Sequence, residues 1–175
     1  AKTKAIEELL AKEISTETKL EVTTQTGTTD QTTTKPASKS QYVVETVNCI
    51  YEYKESGFSN NTFYCLIMIT SKEKERNVRV YNGWNQNTRI IDSNGNEYRC
   101  KQTSLGADYS NSPGGYPNYA VNLLISDVPI KSYLFFENIP QNIEKMNLLE
   151  IIISLDKGKH LESVQFRDIP IEIKK

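Results

Sequence analysis

From Tyr42 onward apolar and polar residues alternate regularly. Val43, Val47, Cys49, Tyr51 and Tyr53 share one phase. A period of two marks a strand with one buried face. Ser56 to Asn61 predicts a turn, and Phe63, Cys65, Ile67 and Ile69 share a phase in the returning strand. Val78 to Tyr81 is a short run that stops at Asn82-Gly83. Ile90-Ile91 and Tyr98-Arg99-Cys100 flank Asp92-Ser93-Asn94-Gly95-Asn96-Glu97. Asn-Gly supplies the two positive-φ positions of a type I′ turn, so this stretch predicts a hairpin. Gly106 to Asn118 reads as one long loop, after which Val121, Leu123 and Ile125 resume the alternation. Tyr133 to Phe136, Leu148 to Leu155 and Val164 to Ile173 complete it. Pro129, Pro140 and Pro170 fall at strand starts or ends, where a missing N–H is tolerated. Short strands with frequent turns and no internal repeat predict an all-β domain over residues 41–175. The architecture expected is an antiparallel sandwich of seven to nine strands, not βαβ units.

Two other patterns precede that domain. Over residues 1–14, Ile6, Leu9, Leu10 and Ile14 recur at helical spacing, with Lys2, Lys4, Glu7, Glu8, Lys12 and Glu13 on the other face. A short amphipathic helix is predicted, marginal unless it docks or continues upstream. Residues 15–40 hold ten threonines between Thr16 and Thr34. So polar a stretch buries too little apolar surface to offset its ordering entropy and reads as a linker. Leu20, Val22 and Thr24 alternate, however, so a strand docked on the domain edge is the competing reading.

Charge narrows the partners. With 21 basic and 22 acidic residues the net charge is −1. A nucleic-acid footprint needs a basic stripe, and Lys72-Glu73-Lys74-Glu75-Arg76 alternates in sign, as a solvated turn or strand end does. No run approaches the roughly 18 apolar residues of a spanning helix. The expectation is no nucleic-acid partner, and membrane association only through a lipid anchor upstream.

Candidate chemistry is sparse. His160 is the sole histidine, whereas a triad, a Cys–His dyad or a His/Cys zinc site needs one placed by partners. Asp92 to Glu97 resembles an oxygen-rich cation loop. It lacks a glutamate at the twelfth position, which is Thr103, and its glycine comes early, so it reads as a turn. No phosphate loop or dinucleotide fingerprint occurs. Neither metal nor cofactor is expected. Asn60-Asn61-Thr62 is a glycosylation sequon by pattern only. Cys49, Cys65 and Cys100 each lie in an apolar run. Three buried thiols are the favoured reading, and one bridge with one thiol left over is the alternative.

Four stretches carry a family resemblance. They are Val43 to Val47 with Phe63 to Ile69; Ile91 to Tyr98; Asp127 to Lys131 leading to Leu134-Phe135-Phe136; and Leu148 to Ile151 with Val164 to Ile171. Together they resemble the exported immunoglobulin-like domains of unknown function found in bacterial lipoproteins and secreted proteins. The resemblance implies an immunoglobulin-like sandwich on a tether, exported to the periplasm or cell surface, with a leader or lipid anchor upstream. It implies no enzyme activity and no shared catalytic residues.

Aromatic residues on loops are what remains. Tyr109, Tyr116 and Tyr119 lie in or beside the long loop, and Tyr81 and Trp84 in another. Exposed tyrosines give contact area at low entropy cost, and sandwich loops cluster at the ends. Those five residues are the expected contact surface for a protein or glycan partner. The competing reading is that they cap the core. The function expected is a non-enzymatic binding, adhesion or scaffolding module. A secreted enzyme or inhibitor with an unrecognised site is the alternative.

Overall fold

The computed structural model describes residues 42–82, 88–110, 117–158 and 160–171. The predicted helix over 1–14, the Thr-rich stretch over 15–40, and Trp84 and Tyr116 lie outside them. The described residues form eleven strands: β1 (Val43–Glu45), β2 (Cys49–Ser59), β3 (Thr62–Ser71), β4 (Arg76–Tyr81), β5 (Arg89–Asp92), β6 (Glu97–Leu105), β7 (Asp108–Tyr109), β8 (Tyr119–Leu124), β9 (Ile130–Phe136), β10 (Lys145–Leu155) and β11 (His160–Pro170). The count exceeds nine because β1 and β7 are too short for alternation to reveal. The paired strands run antiparallel in the order β1-β2-β3-β9-β6-β5-β10-β4-β8, with β11 also on β10 and β7 on β6.

β6 is the joint of this sheet. Glu97 to Arg99 pair with β5, whereas Cys100 to Thr103 pair with β9. In a flat sheet β3 and β10 would stand four strand spacings apart, roughly 19 Å. Instead the Cys65 sulfur lies 4.0 Å from that of Met146, and the Tyr53 and Phe166 rings, on β2 and β11, are 6.2 Å apart. The sheet curls at β6, and its two halves share one core that includes Tyr51, Phe63, Ile67, Phe136, Leu149, Ile151 and Phe166. β10 is the broadest element. It pairs with β11 along its length, and on its other side with β5 and then β4. Thr88 fills the gap between those two, accepting at its hydroxyl from the Ile152 N–H at 3.1 Å.

Several local expectations change. β2 continues through Gly57 and Phe58, so the turn is only Asn60-Asn61, with φ of 47° and 63°. That pair makes the type I′ geometry. At Asn94-Gly95 only the glycine is left-handed, with φ 83°. The Gly95 N–H donates to Asp92 O and the Asp92 N–H to Asn96 O, both at 3.1 Å. This is a three-residue loop closing on a glycine bulge. The loop from Gly106 contains β7 rather than running unstructured to Asn118. Arg76, expected in a solvated run, is 6% exposed, donating to Ser71 Oγ at 3.2 Å and pairing with Asp156 at 3.4 Å. Cys49, Cys65 and Cys100 are buried free thiols, as the apolar runs suggested.

Candidate contact surface

The sequence pattern misplaces one face of β8. Val121 and Leu123 look like core positions, yet the strand buries Ala120 and Leu124 instead. Val121 is 37% exposed, Leu123 49%, and beyond the strand end Ile125 is 54% and Val128 51%. Tyr119 stands in the same outward row. β8 pairs with β4, so Tyr81 lies directly opposite Tyr119 and Arg79 opposite Val121. The two tyrosine rings meet edge to face with centroids 5.5 Å apart. The Arg79 guanidinium carbon sits 4.6 Å from the centre of the Tyr119 ring. Tyr81 Oη lies 3.3 Å from Ser154 Oγ on β10. Edge-to-face and cation–π contacts of this kind contribute about 0.5–1.5 kcal/mol each. They also fix two partly buried rings in one orientation.

Tyr109 lies on β7, opposite Ser104. Its neighbour Asp108 accepts from the Val121 N–H at 2.7 Å, which ties β7 to the side of β8 away from β4. Ser110 anchors the next residues: its N–H donates to Thr103 O and its hydroxyl accepts from the Thr103 N–H, both at 2.9 Å. The Asn82 N–H donates to Asn118 O at 3.0 Å, which joins the roots of the two aromatic-bearing segments. Three of the five expected contact residues, Tyr81, Tyr109 and Tyr119, are thus brought to the β4–β8 side of the sheet. Tyr81 and Tyr119 stand on paired strands, not loops. Trp84 and Tyr116 lie outside the described residues.

The same outward face carries a polar network that the sequence reading missed. Arg89 donates to Glu150 at 2.9 Å and to Glu97 at 2.7 Å, and Glu97 also accepts from Arg99 at 3.3 Å. Glu150 accepts further from Ser163 and Gln165 on β11. Burial pushes the Glu150 carboxyl up, but these donors together outweigh it and hold it low. The hydrogen bond from Arg89 chiefly does the same for Glu97. Charged and amide residues at alternate strand positions were the available signal.

A second network joins the two halves. Glu162 on β11 accepts from Tyr51 Oη at 2.7 Å, Asn48 Nδ2 at 3.0 Å and Thr46 Oγ1 at 3.2 Å. Burial foremost, with Cys49 and Glu162 adding to it, raises the Tyr51 pKa and keeps the phenol a neutral donor. In the Asp92 turn both carboxylate oxygens are taken by the turn's own donors: Asn94 N–H, Asn96 N–H and side chain, and Tyr98 Oη, at 2.8–3.0 Å. Among the described residues no group of three His, Cys, Asp or Glu could hold a metal ion. No described helix is long and apolar enough to cross a membrane.

Comparison with known proteins identifies no family. No family model matches the chain, and no curated protein does. Among solved structures, a family 123 glycoside hydrolase from Clostridium perfringens, described for glycolipid glycan hydrolysis, is similar at 10% identity with a TM-score of 0.32. The match covers 65% of this chain and 21% of that hydrolase. Likeness at that level carries nothing over to this chain.

Proposed function

We propose that this protein is a non-enzymatic binding module of the cell envelope, for adhesion or scaffolding, and that a partner protein docks on the outward face of β4 and β8. The observation that carries the reading is the row Val121, Leu123 and Ile125, exposed on an outer strand beside the partly buried Tyr119, Tyr81 and Arg79. Clustered exposed apolar residues rimmed by polar ones mark interaction sites. Covering Leu123 and Ile125, each about half exposed, contributes roughly 1 kcal/mol apiece. The aromatic pair adds rigid area. A protein fits this row better than a glycan, because Val121, Leu123 and Ile125 offer a sugar no hydrogen bonds.

We infer an immunoglobulin-like sandwich, supported by the curl at β6 and the core shared by the two halves. Export to the periplasm or surface, with a leader or lipid anchor upstream, accords with the resemblance of the strand-and-turn pattern.

The test is a double variant, Leu123→Lys with Ile125→Lys. Both sites are exposed, so stability should change by no more than about 0.5 kcal/mol per site. Capture of partners from the envelope fraction of the producing cell should fall at least tenfold against wild type. Unchanged capture of the same species by the folded variant would show that partners do not dock on this face.

A further inference from the structure

We propose that the outer edge of β2, from Ser56 to Ser59, is a docking site for an extended strand of a partner polypeptide, distinct from the β4–β8 face. Among the described residues the β1–β2 ladder ends where the Tyr53 N–H donates to Tyr42 O at 3.0 Å. Among the described residues β2 runs on to Ser59 with only β3 beside it. The two-residue turn makes Ser59 and Thr62 a hydrogen-bonded pair, so Gly57 and Glu55 also bond towards β3. The N–H and C=O groups of Ser56 and Phe58 therefore point away from β3. They continue the row that Tyr51 and Tyr53 present to β1, after the register shift between Tyr53 and Glu55.

A groove of about 480 Å³ lies along this edge, bounded by Tyr42, Tyr53 and Phe58 on one side and by Pro170 and Ile171 at the end of β11. Gly57 keeps the strand thin. A Cβ there would stand 3.4 Å from the Tyr64 ring, and glycine inside a strand commonly marks close approach by another backbone. Lys54, Glu55 and Ser56 also line the groove, and an exposed strand edge beside pockets for alternate side chains is what strand addition uses. The occupant's alternate side chains follow from the register. Those facing the groove meet Phe58, Tyr42 and Ile171 and should be apolar. Those facing outward pass Gly57 and the Glu55 carboxylate and should be small or basic.

The test uses the full chain and a synthetic octapeptide alternating valine with lysine and threonine. Amide spectra and hydrogen exchange are recorded with and without it. The Ser56 and Phe58 amides should shift, and their exchange should slow at least tenfold. A peptide N-methylated at alternate amides should do neither. Ser56→Pro deletes an outward donor without touching the β3 ladder and should weaken binding at least tenfold. Three results would each overturn the proposal: no response at these amides at about millimolar peptide; equal response to the N-methylated peptide; or Ser56 and Phe58 amides already as protected as Gly57 in the free chain, which would mean that the chain itself covers the edge.

Discussion

At the scale of residues, Asp92 organises its hairpin more than Asn94-Gly95 does. Burial pushes its carboxyl up, but hydrogen bonds from Asn96, Tyr98 and Asn94 win and hold it below the ordinary range. Asp92→Ala removes the acceptor for four donor groups and should cost about 2 kcal/mol, read by denaturant titration. Because the folded value is lowered, the contribution is complete above the unfolded value of about 4. It is lost as pH falls through the folded value. The difference in Tm between wild type and variant should therefore shrink on acidification below about pH 4. An undiminished difference in strong acid would show that the carboxylate charge is not involved. The cysteines were legible from their apolar neighbours. Burial pushes Cys100 up to about 12 and raises Cys49 and Cys65. A thiol reagent should react slowly with native protein and count three thiols after denaturation; reductant-dependent thiols would reveal a bridge. Arg76 was not legible, because its partners Ser71 and Asp156 come from a strand end and a distant turn.

At the scale of elements, alternation located most strands but not which face was wet. On β8 it marks Val121 and Leu123, and the fold buries the smaller Ala120 and the neighbouring Leu124. The buried row also carries Asn122, whose side chain donates to Leu105 O at 3.1 Å, so alternation favours the wrong row. Turn chemistry misled in a related way. Asn-Gly favours a type I′ turn in isolation, but the Asp92 carboxylate stabilises a longer loop. The I′ turn falls at Asn60-Asn61, where asparagine tolerates positive φ. Gly106 had no sequence signal beyond its type. Its φ is +60°, and an added Cβ would stand 2.7 Å from Asn122 Nδ2 and 2.9 Å from Ile130 Cδ1. Gly106→Ala should cost about 1–3 kcal/mol through strain and crowding together. Chemical denaturation checks it; a change below about 0.5 kcal/mol would mean that β8 and β9 yield easily there.

At the scale of the whole molecule, the all-β antiparallel class was readable because two-residue alternation pervades the domain. The exchange of partners along β6 and the Tyr51–Glu162 link were not, since both depend on strands distant in sequence. The proposed contact surface was half legible. The aromatics Tyr81 and Tyr119 lie on β4 and β8, whereas the exposed apolar row beside them reads as core in the sequence. The most direct measurement is hydrogen exchange of the full chain with and without the solubilised envelope fraction of its producing cell. Slowed exchange is expected in peptides spanning Tyr119 to Val128 and Asn77 to Tyr81. No slowing there, with protection confined to other strands, would contradict it.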